Sequence, residues 1–471
     1  MKKITSLLLV ICMLVSMMLL ASCAAAPNFD SKGEAPNGST PEGGYFGSAD
    51  SIAPSDPSGG DYGGSVGGDP MPPASDDAVD GEVTEGDKAE GGESIEGGEV
   101  KPEQVILPSG MITAGAWNDN DYYDMWLSLF SQPDYELDTT PKFYNFTIPS
   151  NSWGYNSLNR VKVTVTSGEN PVAGAEVIAF DEQGNKLFSA VSDVKGNAYL
   201  FVDEESGRIT VTSGSGTSEA EFTKDSREIE VDLAEKAEKL NVIEIMFVVD
   251  VTGSMGDEIS FLKAELADVI NRIALNNTDT IIKLAFLFYR DTNDSVPFDY
   301  YDFTDVTYAG GLAAQQEALN KQYAKGGGDY PEAVDEALEM AVNKQWSTGA
   351  TTKLIFHVLD APAHNGAKYK EKLVNATKSA AEKGIRLCPI ICSGASIDTE
   401  YTMREAAIYT GGTFIFVTDD SGIGGSHHDP QLPNVTVELL NSMLVRLVNG
   451  YHTGNFEDPI YWKEDQNLNN R

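Results

Sequence analysis

Asp250, Thr252 and Ser254 alternate along Asp250-Val-Thr-Gly-Ser-Met255, so an extended loop would turn all three oxygens into one concavity. Gly253 and Gly256 permit a tight turn at that point, and a helix beginning there would add unpaired N–H groups. A second source of oxygen is Gly326-Gly-Gly-Asp-Tyr-Pro-Glu332, where three glycines let backbone approach closely and Asp329 is free to serve as ligand or helix cap. A third is Asp360, which ends the apolar run Phe356-His-Val-Leu and has no apolar work to do there. Carboxylates and hydroxyls suit a hard cation, Mg2+ or Ca2+, rather than zinc. The predicted metal ligands are Asp250, Thr252, Ser254, Asp329 and Asp360. Tyr289-Arg-Asp291 ends another apolar run, where it would either border this site or form a surface salt bridge.

The elements that must bring these loops together are legible in the apolar pattern. Val242 to Val249 is a continuous apolar run of strand length, followed by Ile259, Leu262, Leu266, Val269, Ile270 and Ile273 at helical spacing. Strands are expected at 281–289, 353–359, 385–391 and 413–417, with a short polar edge strand at 299–304. Helices are expected near 311–324, 331–345, 367–383, 400–410 and 435–448. Buried strands alternating with amphipathic helices predict an α/β fold, a doubly wound and mostly parallel sheet covered on both faces. Ligands of such sheets bind at the carboxyl ends of the strands, which is where all three loops fall.

Asp250-x-Thr-Gly-Ser, the glycine loop and Asp360 together resemble the metal-ion-dependent adhesion site of von Willebrand factor type A domains, over about residues 241–450. The resemblance implies that the hydroxyls bind the ion directly and that the strand-end aspartates act partly through water. One coordination position would stay open for an acidic residue of a partner. By position, Asp250, Thr252 and Ser254 carry over from the first loop and Asp360 from the third. Thr252 stands where Ser is commoner and keeps the hydroxyl; Asp329 stands where the second loop usually offers a Thr. An extra carboxylate would strengthen cation binding and make the ion less attractive to an acidic partner.

Upstream the chain changes character several times. Met1-Lys-Lys, the apolar run Ile4–Leu20 and Leu20-Ala-Ser-Cys23 have the order of an export signal, and the last four residues resemble a bacterial lipobox. Residues 1–23 are read as that signal, with Cys23 the lipidated mature N-terminus and the rest of the chain outside the membrane. Residues 24–104 hold eighteen acidic residues against three lysines in a Gly, Ser and Pro background, and are read as a flexible, self-repelling tether. Residues 105–158 are an aromatic-rich connecting segment, expected to pack against the folded regions downstream of it. Within it Asn118-Asp-Asn-Asp-Tyr-Tyr-Asp124 lacks a full calcium-loop pattern, and capping of a short helix near Tyr122 is the simpler reading. Residues 159–236 alternate apolar and polar in short runs and predict a small all-β sandwich. Asn170-Pro-Val-Ala-Gly-Ala-Glu-Val and Asp193-Val-Lys-Gly-Asn-Ala-Tyr-Leu resemble carboxypeptidase regulatory-like and Ig-like modules, which implies a spacer. Residues 240–450 are the α/β domain and 451–471 a C-terminal tail.

The formal net charge of −39 excludes nucleic acid as the expected partner, because phosphate binding needs a basic face. Cys388 and Cys392, four apart in a strand, would lie roughly 13 Å apart at about 3.3 Å per residue, too far for a disulfide, and read as core thiols. His427-His-Asp429 is the only histidine pair and lies in a Gly-rich loop. No phosphate loop or zinc-protease helix is present. The expected function is non-enzymatic: a cell-surface lipoprotein that binds a protein or surface ligand through a divalent cation. Two alternatives stand beside it, an assembly or recruitment subunit at the membrane surface and a hydrolase using the His427 and His428 loop.

Overall fold

The computed structural model describes residues 111–134, 141–421, 426–430 and 432–469. The signal, Cys23 and the acidic tether lie outside them. Among the described residues no helix is long and apolar enough to cross a membrane.

The described chain opens with β1 (Thr113–Trp117) and α1 (Tyr123–Ser128), followed by a 3-10 turn at Tyr144–Thr147. Eight short strands come next: β2 (Arg160–Ser167), β3 (Asn170–Pro171), β4 (Glu176–Phe180), β5 (Lys186–Val191), β6 (Asn197–Phe201), β7 (Ser206–Ser213), β8 (Gly216–Thr223) and β9 (Glu228–Asp232). They form two four-stranded sheets, one of order β3-β2-β6 with β9 pairing β2, the other of order β5-β4-β7-β8. Along β2 the buried residues are Val161, Val163 and Val165, as a period of two requires of a strand with one face in a core.

The remaining chain builds one α/β layer structure. Its elements are β10 (Lys239–Asp250), α2 (Gly256–Asn276), β11 (Ile281–Tyr289), β12 (Phe298–Asp305), α3 (Ala309–Asn320), α4 (Val334–Val342) and β13 (Ala350–Leu359). Next along the chain are α5 (Ala367–Glu382), β14 (Ile385–Ile391), α6 (Ile397–Thr410), β15 (Phe414–Val417), β16 (Glu438–Leu439), α7 (Leu440–Thr453) and α8 (Trp462–Asn469). The sheet is mixed and eight-stranded, in the order β12-β11-β10-β13-β14-β15-β1-β16. Strands β11, β10, β13, β14 and β15 run parallel, and β12 pairs antiparallel at the edge.

Central strand β10 shows why its run reads as continuously apolar. Ile243, Ile245, Phe247 and Val249 enter one core with α2 and α7, while Met246 and Val248 enter another with α4, α5 and α6. Both faces are covered, so no polar alternation survives. Cys388 and Cys392 are buried free thiols.

The aromatic segment differs from the expected connector. Ala114 to Trp117 of β1 pair antiparallel with Val417 to Phe414 of β15, and Thr113 pairs with Leu439 of β16. This strand therefore completes the α/β sheet rather than leading up to it. β15 is only four residues long and would otherwise present an open edge, which pairing removes. The aromatics behind β1 pack on α6: Phe146 stacks on Tyr401 with ring centres 4.1 Å apart, and Phe201 of β6 stacks on Tyr409 at 4.6 Å. Helix α6 is thus buried along its whole length between Thr399 and Thr410.

Candidate metal centre

Asp250 is the last residue of β10 and Asp360 the first after β13, and Val249 pairs with Val358 across the two strands. Parallel pairing therefore sets both aspartates at one rim of the sheet. Asp250 is fully buried; its Oδ1 accepts the Thr252 backbone N–H at 2.8 Å and the Thr252 hydroxyl at 2.7 Å. The Ser254 hydroxyl lies by the Asp360 carboxyl and opposes the rise that burial imposes on it. The first loop thus spans the two strand-end aspartates, one hydroxyl on each, and then enters α2.

The glycine loop lies against the first loop. Gly253 donates its N–H to the Gly326 carbonyl at 3.3 Å, and Lys325 donates to the Val251 carbonyl at 3.0 Å. Gly326 and Gly327 both have positive φ, 86° and 76°, and a Cβ on Gly327 would come within 2.7 Å of Glu332 Oε1 and 3.3 Å of Thr252 Cβ. Only glycine allows that approach.

Asp329 is exposed, and it is not the carboxylate this loop turns inward. That group is Glu332, three residues on, which is only 4% exposed. Its backbone N–H bonds the Pro362 carbonyl at 3.0 Å, so the second and third loops are stitched together at Glu332 and its side chain is held inward. The Tyr330 hydroxyl adds a bond to the Asp360 carbonyl at 3.2 Å. Glu258, in the first turn of α2, is a second buried carboxylate; Ser393 Oγ donates to its Oε1 at 3.3 Å. Sequence reasoning passed over both: Glu258 has the spacing of any helix-surface acid, and nothing in Gly-Gly-Gly-Asp-Tyr-Pro-Glu says which of two acids faces in.

The electrostatics of this rim are those of crowded negative charge. Burial, and then the Asp360 charge, push the Asp250 carboxyl up to about 7. Burial followed by the charges of Asp250, Asp291, Asp360 and Asp294 raises Glu332 to about 9. Burial lifts Glu258 to about 7 and also raises Asp360. Asp250 Oδ2, Glu258 Oε2 and Glu332 Oε2 are buried without a hydrogen-bond partner among the described residues. Asp291 differs, because His364 Nε2 donates to it at 2.7 Å; burial opposes ionisation there, yet this bond holds the carboxyl below its usual range. Asp291 thus borders the site as one half of an internal pair, and Arg290 ties the same loop to the Lys325 carbonyl at 2.8 Å.

An oxygen-only donor set with orphaned buried carboxylate atoms fits a hard divalent cation. No three acidic, histidine or cysteine side chains among the described residues converge closely enough to hold an ion by themselves. The hydroxyls of Thr252 and Ser254 are therefore needed to complete a donor set.

The other sequence candidates take structural partners. Asp119, from the calcium-like stretch, accepts Arg404 Nε at 2.9 Å and Nη2 at 2.5 Å. Helix α1 carries no side-chain cap. His427 Nδ1 lies 2.6 Å from Asp419, and His428 Nε2 lies 2.5 Å from Glu400, so each histidine is engaged by a separate carboxylate.

Residues 244–418 match the model of the von Willebrand factor A domain. The chain is 23% identical over 222 residues to an alpha-protein kinase, vwkA, of Dictyostelium discoideum, covering 44% of this chain and 34% of that one. It is 26% identical over 223 residues to a putative ariadne-like RING finger protein, R811, of Acanthamoeba polyphaga mimivirus, covering 43% of this chain and 20% of that one. It thus spans only about a third and a fifth of those two relatives. Among solved structures it is similar to the conserved hypothetical protein BatB from Bacteroides thetaiotaomicron, at 16% identity and a TM-score of 0.28, covering 39% of this chain and 91% of that one. Residues 244–418 accordingly carry a von Willebrand factor A domain, whose sheet is completed by a strand from before the β-rich module.

Proposed function

We propose that this protein is a non-enzymatic, metal-dependent binding protein that grips a protein or surface ligand at the rim formed by Asp250, Thr252, Ser254 and Asp360. The observation that carries the reading is the fully buried Asp250 Oδ2, which faces the charge of Asp360 and has no hydrogen-bond partner among the described residues. Mg2+ or Ca2+ would be held by the Thr252 and Ser254 hydroxyls with the two aspartates, and would supply a positive centre for a partner's oxygen. Glu332 and Glu258, whose carboxyls are raised without a cation, would ionise beside it and add negative charge around that centre. They stabilise the bound cation and weaken its pull on an acidic partner, so a neutral oxygen donor suits the open position better than a carboxylate. The two β sheets of residues 160–232 serve as an Ig-like spacer behind the head. Cys23 carries the lipid that holds the chain at the outer face of a membrane, with residues 24–104 as tether.

The test is capture of partners from intact cells and membrane extracts by the whole chain, with and without chelator. Ligands retained only with Mg2+ or Ca2+, and lost with Ser254→Ala, support the reading. Partners retained equally in chelator overturn the metal-dependent grip. Mass spectrometry of the exported chain tests the anchor: acylated Cys23 supports it, and an unmodified thiol contradicts it.

A further inference from the structure

At the end of the sheet remote from the metal rim, a cavity of about 680 Å³ opens where β10 and β13 begin, between the α/β layers and the β-rich module. This chain carries 72 acidic residues against 33 basic ones, yet five cations line this one space: Lys239, Lys344, Lys353, Lys383 and Arg386. Three carboxylates, Glu176, Asp193 and Glu382, line it with them, so the cations still outnumber the carboxylates. Glu382 pairs with Lys186 at 2.5 Å, and Asp193 accepts the backbone N–H groups of Lys195 and Asn197, both at 2.8 Å.

None of the five cations forms an ion pair with a described residue; each spends its donors on neutral groups. Lys353 Nζ bonds the Lys383 carbonyl at 3.0 Å, and Arg386 bonds the Thr410 and Val191 carbonyls at 2.5 and 2.7 Å. Lys383 reaches the Val342 carbonyl and Asn343 Oδ1, both at 2.9 Å, and Lys239 the His452 carbonyl. Lys344 Nζ lies 3.8 Å from the centre of the Tyr300 ring. Neutral partners orient these donors without cancelling their charge. Lys353 and Arg386 are only 8% and 6% exposed, and a buried charge without a counter-ion is costly. Burial lowers the pKa of Lys239, Lys353 and Lys383, and the charges of Glu244 near Lys353 and Glu382 near Lys383 only partly offset it. Thr351 Oγ1, also on the wall, is buried with no partner among the described residues. The volume falls within the range of small-molecule sites, about 300–1,000 Å³.

We propose that this cavity binds a small organic anion bearing carboxylate or phosphate groups, which balances the excess of positive charge on its wall and locks the β-rich module onto the α/β layers. The site is independent of the metal rim, and either can fail without the other.

The test is isothermal titration of the full chain at low ionic strength with succinate and with glucose 6-phosphate, with glucose as the uncharged control. Submillimolar binding of at least one anion is expected, with none for glucose. Lys344→Ala with Lys383→Ala weakens it about tenfold or more, one lost charge-assisted bond being worth about a factor of ten. Lys344→Glu alone, at a half-buried residue, moves affinity the same way should the double variant fold poorly. Asp250→Ala leaves it within about twofold. Absence of binding by both anions, equal binding of glucose, or affinity unchanged in both lysine variants overturns the proposal. A synthetic peptide of residues 85–99 that binds the full chain more tightly than glucose 6-phosphate also overturns it, making the chain's own acidic segment the occupant.

Discussion

Two groups of buried carboxylates in the α/β domain meet opposite fates. Around Arg404, Asp119 uses both oxygens on the guanidinium, while Glu400 gives one oxygen to Arg404 at 3.1 Å and the other to Lys142 at 2.6 Å and to His428. Burial would raise Glu400, but the His428 bond and the charges of Arg404 and Lys142 hold it below its usual range. At the rim, Asp250, Glu258 and Glu332 each leave an oxygen unpartnered, and their carboxyls are raised. One group is neutralised from within and fastens the N-terminal strand to α6. The other has no such partners among the described residues, and the proposed cation would supply the missing charge. Under the proposed function, buried charge is structural in the first place and functional in the second; these carboxylates differ in their partners, not in their burial.

Four experiments break or sharpen that contrast. The largest effect is expected for Arg404→Ala, which strands two buried carboxylates and should cost about 3–5 kcal/mol in denaturant unfolding; a loss under about 1 kcal/mol removes the structural half of the comparison. Asp250→Ala is expected to weaken divalent-ion binding about a hundredfold or more in calorimetry, while the metal-free chain unfolds no more easily than the parent. If Asp250→Ala instead destabilises the metal-free chain as Arg404→Ala does, the two regions are alike. Glu332→Gln removes one of the crowded titratable carboxyls; the metal-free chain should melt a few degrees higher, at about 2–4 °C per kcal/mol, and bind the ion up to about tenfold more weakly. Asp329→Asn, at an exposed residue, should change both by less than about twofold; equal effects at the two positions would restore Asp329 to the site.

The same contrast predicts a dependence on pH. Asp250, Glu258 and Glu332 have folded-state values raised above their unfolded ones, so the native chain binds more protons than the unfolded chain between about pH 4 and 9. Metal-free stability from these groups is full below pH 4 and is lost as pH rises through about 7 and then 9. Glu400, held low, contributes the reverse, present above its unfolded value and lost as pH falls. Metal affinity should rise from pH 6 to 8 as bound protons leave the rim. Thermal melts with chelator and with Mg2+ at pH 5.5 and 8 read both signs; a metal-free chain that is more stable at pH 8 contradicts the rim's part.

Much of the α/β layer was legible because β10, β11, β13 and β14 are buried on both faces and read as unbroken apolar runs. Asp250, Thr252, Ser254 and Asp360 were legible because oxygen at a strand's carboxyl end has no packing role. β1 was not: Thr-Ala-Gly-Ala-Trp has little apolar bulk, and its place is set by β15 and β16, about three hundred residues away. The choice of Glu332 over Asp329 was hidden as well. It depends on the hydrogen bond from Glu332 N–H to the Pro362 carbonyl, a contact between loops that carries no local signal.

The most direct test is a crystal of the chain soaked in Mn2+, with anomalous differences measured at the manganese edge. The account expects one strong peak enclosed by the Thr252 and Ser254 hydroxyls and the carboxyls of Asp250 and Asp360. A featureless rim at full Mn2+ occupancy elsewhere, or a peak between His427 and His428 instead, would contradict it.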